Sequence, residues 1–309
     1  MRNRTPFFVK TVLPLFLLSA VIVESIPVHA LETASASSSE TAPASIVSPS
    51  SSLTVPMTML LSRYQSLPNS RPDYESRYRA WGSAHPELSA EQVVLAVNIG
   101  LDQSFYTGTD ILQQPERLDV LVNKYHALPS DYVPELELLG STYGYGYLRP
   151  EAAAAFRSMA DAARADGISL RSVSAYRSYR QQESVYNRYL TWDDQASVDT
   201  YSARPGFSEH QTALALDINT ASLSAHFENT PAYAWLTEHC AEYGFILRYP
   251  QGKESVTGYS FEPWHYRYVG TEIAQACMSQ GLTYEEYIAS QPVEKKPAVN
   301  LPIPGLPII

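Results

Sequence analysis

Cysteine is nearly absent from this chain: Cys240 and Cys277 are the only two in 309 residues. At most one disulfide can form, and two buried free thiols are the alternative. Positive charge is also scarce, with 22 Lys and Arg against 32 Asp and Glu for a net charge of −10. That balance argues against electrostatic attraction to nucleic acid or to an anionic lipid surface. Long apolar runs are missing too. The longest, "TVLPLFLLSAVIV", has 13 residues, short of the ~20 a spanning helix needs. No repeat of ~20–50 residues is visible, so solenoid and propeller architectures are excluded. What remains is a 45% apolar composition, suited to a globular protein of one or two domains. A monomer is expected.

The apolar run follows Arg2, Arg4 and Lys10 and precedes Val28-His29-Ala30. A basic stretch, a short apolar core and small residues before a cut are the marks of a secretory signal over residues 1–30. An uncleaved anchor, the one route to a membrane, is the alternative. The expected location is therefore secreted or in the cell envelope. Residues 31–56 hold nine serines and few large apolar side chains. Such a stretch cannot offset its ordering entropy and reads as a flexible stalk. Residues 291–309 form a Pro-rich tail, and 57–119 an N-terminal extension in which "SAEQVVLAVNIGL" carries Ser89 as a cap and either helical or strand spacing.

From residue 149 the punctuation sharpens. Pro150 opens a helix and Gly167 stops it, with Phe156, Met159, Ala160 and Ala163 on one face. "ISLRSVSAY" reads as a strand, "SYRQQESVYNRYLT" as a helix, and "TALALDI" as strand-like. Thr230 caps a helix that starts at Pro231 and ends by Gly244, while "FILRYP" and "WHYRYV" are aromatic strands. "TEIAQACMSQG" and "TYEEYIAS" close with helices. The expected fold is α+β: a small, mostly antiparallel sheet flanked by helices, with an N-terminal extension.

Two short stretches carry the chemistry. In "SEHQTALALDI", His210 and Asp217 are seven positions apart. On one strand they would lie ~23 Å apart on opposite faces, and on one helix ~10 Å apart along the axis. Metal ligands must reach to ~2 Å of one ion, so binding a common metal requires the chain to turn between them. A loop histidine and a solvated aspartate account for the pair equally well. In "SFEPWHYRYVG", Pro263 between Glu262 and His265 breaks any regular helix or mid-sheet strand, and a bend there can aim both side chains at one point. Taken together, two imidazoles and a carboxylate form a three-ligand set with a fourth position open, as in catalytic zinc sites. Glu262 is then placed as a base for water. His85, His126, His226 and His239 lack such partners and are read as surface or core residues.

"SARPGFSEHQTALALDI", "YGFILRYPQGKESVTGYSFEPWHYRYVG" and "SAYRSYRQQ" resemble the VanY-type zinc D-alanyl-D-alanine carboxypeptidases, relatives of the D-Ala-D-Ala dipeptidases. The resemblance covers roughly residues 120–290, the expected peptidase domain. It implies that His210, Asp217 and His265 bind Zn²⁺, that Glu262 is the general base, and that Arg177 steadies the oxyanion or holds the peptide. It further implies substrate contacts for Gln182, Ser208 and Tyr249, with peptidoglycan stem peptides as the partner. One departure stands out: Ala213 occupies a position where the family usually has Gly.

The implied activity is removal of the C-terminal D-Ala from stem peptides by a secreted enzyme. L,D-carboxypeptidase and D-Ala-D-Ala dipeptidase activities share the same motifs. A non-catalytic wall-binding module would not need Glu262. A serine peptidase is unsupported, because Ser208 lies in no G-x-S-x-G elbow and no S-x-x-K opens a helix.

Overall fold

In the computed structural model, which describes residues 63–293, the chain opens with α1 (Glu75–Ala84) and α2 (Ala90–Ile99). The expected signal and stalk, and all but the first three residues of the tail, lie outside the described residues. The spacing of α2 allowed helix or strand, and its ends decide for helix. The Ser89 hydroxyl accepts from Gln92 N, Gln92 Oε1 accepts in turn from Ser89 N, and Gly100 takes the left-handed conformation that ends the turn. Val93, Val94 and Val97 pack with Tyr64 and Tyr78 in a small cluster of their own.

Two minor ladders follow: β1 (Asp110–Ile111) runs parallel to β2 (His126–Ala127), and β3 (Glu137–Leu138) antiparallel to β4 (Tyr147–Leu148). Next come α3 (Pro150–Ala165), β5 (Arg171–Ser174), α4 (Tyr179–Tyr189) and the single turn α5 (Gln195–Val198). The remainder is β6 (Ala215–Asn219), α6 (Pro231–His239), β7 (Phe245–Leu247), α7 (Glu254–Thr257), β8 (His265–Tyr268), α8 (Thr271–Gln280) and α9 (Tyr284–Ser290). The main sheet is four-stranded and antiparallel throughout, in the order β5-β6-β8-β7. The α+β expectation holds. Among the described residues no helix is long and apolar enough to cross a membrane.

The sheet's two faces have opposite characters, set by the period-2 alternation of strands. Leu216 and Ile218 of β6 and Tyr266 of β8 point to one side, onto Phe156, Met159, Ala160 and Ala163 of α3. Each such fully buried apolar chain contributes about 1.5–3 kcal/mol. On the other side the alternate residues emerge: Asp217 from β6, and His265 and Arg267 from β8. The register makes Asp217 and His265 direct cross-strand partners, with Cβ atoms about 4.5–5.5 Å apart as in any such pair.

Cys240 and Cys277 sit in separate core clusters, buried and unbonded. The extension is tied to the C-terminal helices: the Asn69 and Asn98 side-chain amides both donate to Ala289 O at 3.1 Å.

Candidate active site

A turn separates His210 from Asp217. Residues Glu209–Thr212 form a short 3-10 helix, Ala213 takes φ 54° and ψ 22°, and β6 starts two residues later. Ala213 is thus left-handed, where a side chain costs ~1–2 kcal/mol and glycine none. This is the position of the Gly-to-Ala departure, and the backbone keeps the turn regardless. The reversal swings His210 over the polar face of the sheet, against Asp217.

His210 Nε2 lies 3.5 Å from Asp217 Oδ1, and His265 Nδ1 lies 3.2 Å from the same oxygen. The three ligand atoms fall within 4.8 Å of one another, and no other such group occurs among the described residues. Asp217 Oδ1 is buried without a hydrogen-bond partner, an orphan that a cation would satisfy. The donor set, two imidazole nitrogens and one carboxylate oxygen, suits a catalytic divalent site. His210 Nδ1 is 2.7 Å from Ala175 O. A carbonyl only accepts, so Nδ1 carries the proton and Nε2 offers its lone pair.

Glu262 ends the loop before β8. Pro263 and Trp264 form the bend, and His265 N donates back to Glu262 O, which brings Glu262 Oε2 to 3.7 Å from His265 Nδ1. Burial pushes the Glu262 carboxyl up to about 7, with the His265 charge opposing. A carboxylate poised near neutrality suits proton transfer in both directions. Burial alone would raise the Asp217 carboxyl, but His210 and His265 overcome it and hold it well below the usual range. Burial lowers the His210 imidazole. His265 goes the other way, because Asp217 and Glu209 outweigh its burial and push it up to about 9.

Behind His265 lies a buried ionic layer that the motif reading left unexamined. Glu209 Oε1 accepts from Arg248 Nε at 2.8 Å and from Arg267 Nη1 at 3.0 Å. Arg248 donates its other two nitrogens to Glu285 of α9, at 2.8 and 2.6 Å. Arg267 also holds Val120 O at 2.9 Å. The second Glu209 oxygen faces His265 Nε2 at 3.6 Å, and neither atom has another partner. A carboxylate behind a ligating imidazole fixes its ring and tautomer. The visible signal was an arginine inside each aromatic strand, "FILRYP" and "WHYRYV". A charge in a core strand demands a buried partner.

The remaining predicted residues line a pocket of about 230 Å³ around the three ligands. Arg177 precedes α4, whose capping box is Ser178 with Gln181. Its guanidinium donates to Gln182 Oε1 at 2.8 Å and Ser174 Oγ at 3.0 Å. Gln182, expected to touch substrate, also uses its amide nitrogen on Ala203 O at 2.7 Å, so its polar atoms hold Arg177 and the 202–203 loop. Ser208 lines the pocket from the residue before the 3-10 helix. The Tyr249 ring packs on His265 at 4.9 Å. Arg204 is spent on Asp199 at 2.7 Å and on the Tyr106 ring. His85, His126, His226 and His239 stand outside the site.

The model of the VanY family, D-alanyl-D-alanine carboxypeptidase, matches residues 146–271. YodJ of Bacillus subtilis (strain 168), a carboxypeptidase by name, is 39% identical over 191 residues, 58% of this chain and 70% of its own. Among solved structures, the LdcB LD-carboxypeptidase superposes with a TM-score of 0.56 at 38% identity, over 60% of this chain and 91% of that one. The vancomycin-resistance D,D-pentapeptidase VanY, solved as a mutant with Zn(II), gives 0.50 at 36%, over 55% and 98%. The chain belongs to the VanY family of D-Ala-D-Ala carboxypeptidases. The structure brings His210, Asp217, His265 and Glu262, the residues the two motifs singled out, to one point.

Proposed function

We propose that the protein is an exported zinc D,D-carboxypeptidase that removes the C-terminal D-alanine from peptidoglycan stem peptides. The observation that carries this reading is the convergence of His210 Nε2, His265 Nδ1 and the orphaned Asp217 Oδ1 beside the buried carboxylate of Glu262. The Zn(II) bound to the related VanY structure supports zinc as the metal. When bound, zinc supplies Lewis acidity toward the scissile carbonyl and toward water.

The chain's own residues do the rest. Glu262 takes a proton from the attacking water and delivers it to the nitrogen of the leaving D-alanine. Arg177, its guanidinium plane fixed by Gln182 and Ser174, offers donors to charge developing on the carbonyl oxygen without reorganising. Tyr249 and Ser208 shape the wall against the terminal residue. The basic, apolar and small-residue succession of residues 1–30 supports export.

The likeness to an LD-carboxypeptidase favours one second reading: cleavage of an L,D bond on the same scaffold. Incubating the zinc-loaded protein with pentapeptide, tetrapeptide and free D-Ala-D-Ala, with products read by mass, separates the cases. Release of one alanine from pentapeptide is expected. Intact pentapeptide beside cleaved tetrapeptide overturns the D,D assignment.

A further inference from the structure

The Tyr-Gly-Tyr-Gly-Tyr run at 143–147 has no part in the catalytic arrangement. Gly144 and Gly146 have positive φ, and a Cβ on them would come within 2.1 Å of Ser172 O and 2.6 Å of Ala175 Cβ. Glycine is therefore what lets this run lie against the edge of β5. There Ser172 N donates to Tyr143 O, Tyr145 N to Ser172 O, and Tyr176 N to Tyr147 O. The backbone is pinned, yet the Tyr145 side chain stands 74% exposed. A rigidly mounted, solvent-facing phenol costs little conformational entropy on binding, which suits a contact surface.

Tyr145 lines a groove of about 570 Å³ together with Val173, Arg177, Arg180, Ser184 and Val185. Arg177 and Val185 also line the catalytic pocket, so groove and pocket adjoin across these two side chains. Arg180 is exposed and has no carboxylate partner among the described residues, in a chain of net charge −10. The catalytic pocket, at about 230 Å³, is smaller than the ~300–1,000 Å³ that enclose a drug-sized ligand. A peptide cut near its C-terminus has most of its length on the N-terminal side, at about 3.3–3.6 Å per extended residue. That arm has to leave the pocket.

We propose that the groove between Tyr145 and Arg180 is a second subsite. It takes the N-terminal arm of the substrate, an acidic peptide whose free carboxylate pairs with Arg180 and whose chain lies over Tyr145. This assignment rests on the carboxypeptidase reading and adds a determinant of substrate length and charge.

Steady-state kinetics of the zinc-loaded full chain test it on three substrates: N-acetyl-D-Ala-D-Ala, a pentapeptide stem with a free carboxylate N-terminal to the cut residues, and the same stem with that carboxylate amidated. Wild type should favour the carboxylate stem. Arg180→Gln should lower kcat/KM for that stem about tenfold, one charge-assisted contact, and leave the other two substrates within about twofold. Tyr145→Ala should weaken both stems and spare the short substrate. Arg188, the exposed arginine in the last turn of α4, lines the catalytic pocket rather than the groove. Equal losses on all three substrates, no loss on any, or the selective loss appearing in Arg188→Gln instead would overturn the subsite. A wild type that cuts short and long substrates equally well refutes the subsite alone. One that cuts neither refutes the D,D-carboxypeptidase reading, and the subsite falls with it.

Discussion

Removing the carboxylate of Glu209 is the sharpest perturbation available, because that group joins fold stability to metal geometry. In Glu209→Ala, Arg248 keeps its paired bonds to Glu285 and Arg267 keeps backbone carbonyls. Both guanidinium groups nevertheless lose a buried counter-charge whose exposure in the native state is 0%. Breaking a buried pair from one side costs about 3–5 kcal/mol. At roughly 2–4 °C per kcal/mol for a domain of this size, the melting midpoint should fall by about 6–20 °C. Glu209→Gln keeps the volume and one acceptor oxygen, so its loss should be smaller. It still loses the carboxylate that faces His265 Nε2, and zinc affinity measured by chelator competition should fall about 10–100-fold in both variants. The pH dependence has a definite sign. Burial would raise the Glu209 carboxyl, but Arg248 and Arg267 hold it well below the unfolded carboxylate range. Its contribution is therefore complete above about pH 5 and is lost as pH falls below that. A Glu209→Gln protein that melts and binds zinc like wild type would refute the coupling of the ionic layer to His265.

Three further outcomes are expected. Glu262→Gln should bind zinc but lose about 10²–10⁴-fold in kcat, and full turnover in that variant sinks its role as base. Gln182→Ala should lower kcat about tenfold through Arg177, with KM little changed; a rise in KM alone would return Gln182 to substrate contact. Ala213→Gly should change stability by no more than about 1 kcal/mol, since relief of the left-handed strain offsets a lost buried methyl and added chain entropy. Ala213→Val should cost about 2 kcal/mol or more, as a β-branched residue at positive φ in a full core. Equal stabilities of the two variants by denaturant titration would contradict that strain.

Much of the site was legible in the sequence because its chemistry is local. "SEHQTALALDI" and "SFEPWHYRYVG" each carry their ligands within a few residues, and Pro263 announced the bend before β8. Helix ends were legible for the same reason: Ser89, Pro150, Thr230 and Gly244 act on backbone groups beside them in the chain. The ambiguous spacing of α2 could not be resolved from periodicity alone, and its two caps decided it.

Tertiary structure alone decided the rest. The register that sets Asp217 opposite His265 joins strands nearly fifty residues apart, and it selects which face of each strand meets the site. The same alternation turned Arg248 and Arg267 away from the apolar core and toward Glu209, a pairing that no spacing rule could show. Gln182 lines the pocket as expected and also holds Arg177, because only the fold brings Ala203 O and that guanidinium to its two ends. The sequence by itself determined which residue types could hold a metal and move a proton. The fold determined which of them meet, since contacts between distant segments depend on strand register and packing rather than on distance along the chain.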